Sequence, residues 1–118
     1  MEVIKGGLEE LPATKLCHMD QKGNGGAYHK YAVMDQTGKK LLAGIDFQNG
    51  GVKDEGVNGC QNKDLLAIVI DRLECFQAGE FACEENGWAL SACKQALGFL
   101  QVRTASRTNR GVEGQVKV

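Results

Sequence analysis

Proline occurs once in these 118 residues, and no apolar run approaches the roughly 20 residues that a membrane span requires. The first 20 residues also lack a signal-like apolar stretch, so a soluble, cytoplasmic protein is expected. An excess of one charge is missing as well. Fourteen Lys plus Arg stand against fifteen Asp plus Glu, for a formal net charge of -1, which disfavours a protein that coats nucleic acid through overall charge. The five cysteines (Cys17, Cys60, Cys75, Cys83, Cys93) are an odd number without a C-x-x-C pair, which argues against a disulfide framework and a zinc knuckle. Reduced, mostly buried thiols are expected. What remains, 42% hydrophobic and 25% charged residues, is an ordinary globular composition at the size of one domain.

Glycine is abundant, 16 residues, and most of it precedes residue 60. Spaced through this half, it punctuates short strands. Tyr28 to Met34 alternates bulky and polar residues, Gln36-Thr37-Gly38-Lys39 forms a hairpin turn, and Leu41 to Phe47 is the returning strand. Val3 to Lys5, Lys15 to Met19 and Val52 to Asp54 are shorter strand candidates, and Asp20 to Gly26 reads as a flexible loop. From Asn62 the period becomes helical. Asn62 as N-cap and Gly79 as stop predict a first helix over residues 63–77. Its Leu65, Leu66, Val69, Ile70 and Leu73 share an arc of about 140°, with Ile68 outside it, an apolar surface wider than one partner needs. A tight turn, Ala78 to Ala82, leads to a second helix that opens with Glu84 and Glu85 at its positive dipole end and runs to about Arg107. The expectation is one α+β domain over residues 1–118: a small N-terminal antiparallel sheet in a β-rich part (1–60), then a C-terminal antiparallel two-helix hairpin (61–118).

The second helix carries the most informative geometry. With Trp88 at 0°, Ala92, Ala96, Phe99 and Leu100 fall at about 40°, 80°, 20° and 120°, and Arg103, Arg107 and Arg110 at about 60°, 100° and 40°. One face thus begins apolar and ends cationic. A first helix of about 15 residues covers only the first 15 or so of the second, so the arginines should project past it, near helix-one N–H groups that favour an anion. Three guanidinium groups on one face repel one another and need neutralising. An ion network with Glu113, Asp64 or Asp54 would do so, and so would a phosphate or pyrophosphate, which the planar fork of Arg binds bidentately. Phe76, at the last turn of the first helix, and Asn86, in the first turns of the second, can meet at the hairpin turn. A phenyl ring and a carboxamide hold an adenine by stacking and by pairing with its N6/N7 edge. Asn86 and Arg103 are 17 residues apart, about 25 Å along a helix, too far for one small nucleotide. If both touch the ligand, two chains supply them, head to tail.

These residues carry a resemblance. Phe76-Gln77-x-Gly79-x-Phe81-Ala82-Cys83-x-Glu85-Asn86, Arg103-Thr104-x-x-Arg107-x-x-Arg110-Gly111-Val112-Glu113-Gly114, Phe47-Gln48-Asn49-Gly50 and Gly56-Val57-Asn58-Gly59 are similar to the phage anti-Thoeris sponge proteins. Those are the sheet-plus-hairpin kind, whose hairpin is shared with phage anti-CBASS cyclic-nucleotide sponges. The resemblance runs from about Tyr28 to the C-terminus. It implies sequestration without cleavage of glycocyclic ADP-ribose, the signal of bacterial TIR-domain enzymes, in the host bacterial cytoplasm. It further implies a homo-oligomer, a dimer or a hexamer built from dimers, with separate sites for cyclic di- or trinucleotides in some members. The stacking aromatic matches Phe76, the base-side asparagine Asn86, and the phosphate-binding arginines Arg103 and Arg107. Arg110 falls within the matching motif and receives no assigned role. Gly51 stands where the family pattern has proline, which should loosen that turn.

Catalysis has poor candidates. His18 and His29 lie in the sheet half, Glu84 and Glu85 are adjacent on a helix and serve its dipole, and Cys83 is flanked by acids. Binding without turnover, with no cofactor, no metal, no membrane and no nucleic acid, is the expected function. An adaptor that docks its arginine face on nucleic acid or an acidic protein is the alternative.

Overall fold

The computed structural model describes residues 2–4 and 13–111. They form two compact units that divide between Cys60 and Gln61.

The first unit is a four-stranded antiparallel sheet in the order β1 (Glu2–Val3), β2 (Thr14–His18), β3 (Lys30–Asp35), β4 (Leu41–Asp46). Its centre is a row of small side chains, because Ala32 pairs with Cys17 on one side and Gly44 on the other. Cys17 and Ala32 are the buried hydrophobic residues among those described. The expected burial of most thiols is therefore corrected: Cys60 and Cys93 are half-buried, and Cys75 and Cys83 are exposed. The β3–β4 turn is organised by Asp35, whose Oδ1 accepts from the Thr37 hydroxyl at 2.8 Å and from the Lys39 and Lys40 N–H groups at 3.1 and 3.2 Å. That hydroxyl, above all, holds the Asp35 carboxyl below its usual range. Gly38 supplies the positive φ, +75°, that the turn requires. The segment read as a loop, Asp20 to Gly26, contains one 3-10 turn at Asn24–Gly26.

Val52 to Asp54 is not a strand. It begins a one-turn helix, α1 (Val52–Glu55), whose Gly51 carbonyl accepts from the Asp54 and Glu55 N–H groups. Gly50 and Gly56, at φ +86° and +72°, bend the chain into and out of this turn, which an extended strand could not do. Gly51 itself sits at φ -69°, a value proline also adopts, so its departure from the family pattern leaves the turn closed. The remaining glycine and amide residues of the motif act together. Gln48 Nε2 donates to the Gly50 and Gly56 carbonyls, and its Oε1 accepts from Asn58 N–H. The Asn58 side chain then pairs both ways with the Asn49 backbone, each bond 2.8 Å. A short parallel bridge, Phe47 to Cys60, completes the clasp. There a Cβ on Gly59 would lie 2.4 Å from the Phe47 carbonyl carbon, so no other residue fits.

The second unit is the helical hairpin of α2 (Asn62–Gln77) and α3 (Glu84–Asn109). The N-cap of α2 is Gln61, one residue before the expected Asn62. The Asp64 carboxylate reaches back to Gln61 N–H at 2.8 Å, which draws the start of the helix forward. At the other end Gly79 does not adopt a left-handed conformation. Instead Gln77 closes the turn, donating from Nε2 to the Cys83 carbonyl at 2.9 Å and accepting the Cys83 N–H on Oε1 at 3.0 Å. Cys83 Sγ caps α3 by accepting Asn86 N–H at 3.4 Å. No helix among the described residues is long and apolar enough to cross a membrane.

Candidate functional site

Two ends of the hairpin hold the candidate residues. At the turn, Phe76 lies at the last turn of α2, and its ring meets the ring of Phe81 edge to face, centroids 5.8 Å apart. Asn86, in the first turn of α3, donates from Nδ2 to the Phe81 carbonyl at 3.2 Å. Phe76, Phe81 and Asn86 therefore form one continuous cluster, with Phe81 as the link. The bond to Phe81 also fixes which way the carboxamide points. It uses one of two Nδ2 hydrogens and leaves the other, with Oδ1, as one donor and one acceptor on the same carboxamide edge. Phe81 is 69% exposed although it is aromatic, so the cluster opens to solvent. A further residue joins it. The Arg72 guanidinium lies 4.8 Å from the centre of the Phe76 ring, a cation on an aromatic face.

At the other end are the arginines. Two contacts fix how far α2 reaches along α3: the Lys94–Glu74 ion pair at 2.9 Å, and a hydrogen bond from Lys63 Nζ to the Thr104 hydroxyl at 3.3 Å. The expected coverage is therefore corrected: α2 extends alongside α3 as far as Thr104 rather than only along its first 15 residues. The reason is the turn itself, which occupies the space opposite the first residues of α3 and slides the overlap toward the arginines. Arg103 lies within this overlap. It is exposed, and among the described residues no carboxylate pairs with it. Arg107 is 6% exposed, the buried charged residue of the hairpin, and it is engaged by other groups, as is the exposed Arg110. An arginine this buried requires such partners.

The apolar face of α3 differs from the expected one. Leu90, Cys93, Ala96, Leu97, Leu100 and Thr104 are half-buried and form the packed side. Trp88, Phe99 and Val102 are instead exposed, at 65%, 76% and 68%. The expected stripe thus splits: Ala96 and Leu100 face inward, while Trp88, Ala92 and Phe99 face out. With Gln95, Val102 and Ser106 the outward residues repeat at alternating steps of four and three, the spacing of a seam between helices.

Arg72 and Phe81 are the site residues that motif reading alone did not single out as contacts. Arg72 was detectable, because it stands four positions before Phe76 and therefore on the same helical face. Phe81 carries no such periodicity, since it lies in the turn.

An antiparallel helical hairpin with an aromatic–amide turn and a cationic far end, accompanied by a small antiparallel sheet, defines an α+β protein built around that hairpin. The family model of the Acb2/Tad1 hairpin domain matches residues 41–105. A protein of Bacillus phage SBSphiJ7 described as Thoeris anti-defense 1 is 49% identical over 92 residues, a stretch that takes in 78% of this chain and 63% of the relative. The chain belongs to the Acb2/Tad1 hairpin family. It spans just under two thirds of that relative's length.

Proposed function

We propose that this protein is a phage anti-defence sponge that captures a nucleotide immune signal, chiefly glycocyclic ADP-ribose, and holds it without cleaving it in the host bacterial cytoplasm. The observation that carries this reading is the pairing of a solvent-open Phe76–Phe81–Asn86 cluster with an exposed, carboxylate-free Arg103 on the same hairpin. The first suits a purine and the second a phosphate. The name of the phage relative, Thoeris anti-defense 1, supports the biological setting. Beyond Arg103 along α3 lie the buried Arg107 and the exposed Arg110, which complete the cationic end of the hairpin.

Asn86 and Arg103 are about 25 Å apart along α3, so the two halves of one site come from two copies. The outward seam of Trp88, Ala92, Phe99 and Val102 gives the reason to associate, because it leaves large apolar side chains in water on a hairpin without a buried hydrophobic residue among those described. Cyclic di- or trinucleotides are further ligands under this reading, in a dimer or a hexamer built from dimers.

The test is to incubate the protein with the product of a TIR-domain enzyme, remove unbound ligand, and heat-denature the complex. Intact ligand is expected in the supernatant. A cleaved product would show an enzyme, and absence of capture would favour an adaptor that docks on an acidic macromolecule.

A further inference from the structure

Resting on the base-stacking reading of Phe76, we infer that Arg72 is a second wall of the same site, and that the purine inserts between the Arg72 guanidinium and the Phe76 ring. The guanidinium stands 4.8 Å from the ring centre. A flat base between two planes needs about 7 Å, two contacts of about 3.5 Å each, so the pair must open by only a few ångströms. Arg72 is exposed, and its side chain turns on several rotatable bonds, so it makes that movement without disturbing α2.

Charge points the same way. Among the described residues no carboxylate pairs with Arg72, and the ion pairs there are His18 with Glu2 and Lys94 with Glu74. The aromatic face of Phe76 is thus the partner of this cation. An intrahelical contact of this kind at four-residue spacing is weak, and a ligand can replace it. A base held by a ring below and a guanidinium above keeps both its edges in plane, where the free hydrogen and Oδ1 of Asn86 can reach them. Phe81, edge-on to Phe76, limits how far the ring can tilt as the base enters.

Stacking by a guanidinium depends on its plane, whereas attraction to phosphate depends on its charge, and lysine keeps only the charge. Titration calorimetry with glycocyclic ADP-ribose on wild type, Arg72→Ala, Arg72→Lys and Phe76→Ala separates these. Both Arg72 variants should bind about tenfold more weakly, by similar factors and with the same salt dependence as wild type, while melting temperatures stay unchanged. Wild-type affinity in Arg72→Lys, or in both Arg72 variants, would overturn the proposal. Phe76→Ala tells its failure from that of the underlying reading: if that variant also binds like wild type, the base does not stack at the turn at all.

Discussion

Single side chains set the chemistry of this protein, and their neighbours decide which ones remain available. Arg103 keeps an exposed guanidinium with no carboxylate beside it among the described residues, whereas Arg107 is buried and engaged. Replacing Arg103 by alanine should therefore weaken capture of glycocyclic ADP-ribose by about 1.5–3 kcal/mol, the range for hydrogen bonds to charged groups, as calorimetry would read. Sequence spacing was sufficient to place three arginines at one end of the hairpin. It could not show that burial separates Arg107 from Arg103, because burial depends on which groups surround a helix end. Likewise Phe76 and Asn86 were legible as a pair, but the link through Phe81 comes from a turn, where no periodicity operates. In the sheet, Glu2 accepts from both the His18 ring at 2.8 Å and the Tyr28 hydroxyl at 3.3 Å, and the His18 bond in particular holds its carboxyl below the usual carboxylate range. A carboxyl lowered on folding contributes stability above its unfolded value and loses it as pH falls through the folded one. Protection factors of the β1–β2 amides, which remove the intrinsic pH dependence of exchange, should consequently fall as pH drops from the usual carboxylate range toward the lowered folded value, and Glu2→Gln should show no such dependence.

Elements form where local signals agree with one another, and they depart from expectation where side chains outvote them. The β3–β4 hairpin followed its alternation and its Gly38 turn, and α2 and α3 followed their period to within two residues at each end. The segment from Val52 did not, because flanking glycines at positive φ turn it into a helical loop that Gln48, Asn49 and Asn58 hold closed. The sequence presents those amide residues only as motif positions, and the structure shows that they hold the loop closed. Asn58→Ala removes both bonds to the Asn49 backbone and should lower the stability of the sheet unit by about 1–2 kcal/mol in urea unfolding. Gly59→Ala should cost about 1–3 kcal/mol or more, since the added methyl meets backbone at 2.4 Å with no flexible side chain to yield.

At the level of the whole molecule, the proposed site needs two copies rather than one. Helical periodicity put Trp88 and Phe99 on one face of α3, yet only packing against α2 reveals that this face looks outward, since a 26-residue helix has more surface than one 16-residue partner covers. Phe99→Glu should leave the hairpin helical by circular dichroism but shift sedimentation toward the monomer and abolish capture. The most direct measurement mixes two weakened variants. Phe76→Ala and Arg103→Ala each impair half of every composite site, so each alone should bind glycocyclic ADP-ribose with an affinity well below that of wild type. After co-refolding in equal amounts, about half the dimers are mixed and each mixed dimer holds one intact site, so about a quarter of wild-type capacity should return at wild-type affinity. If the mixture captures no more than the separate variants do, the aromatic and cationic halves do not come from neighbouring copies.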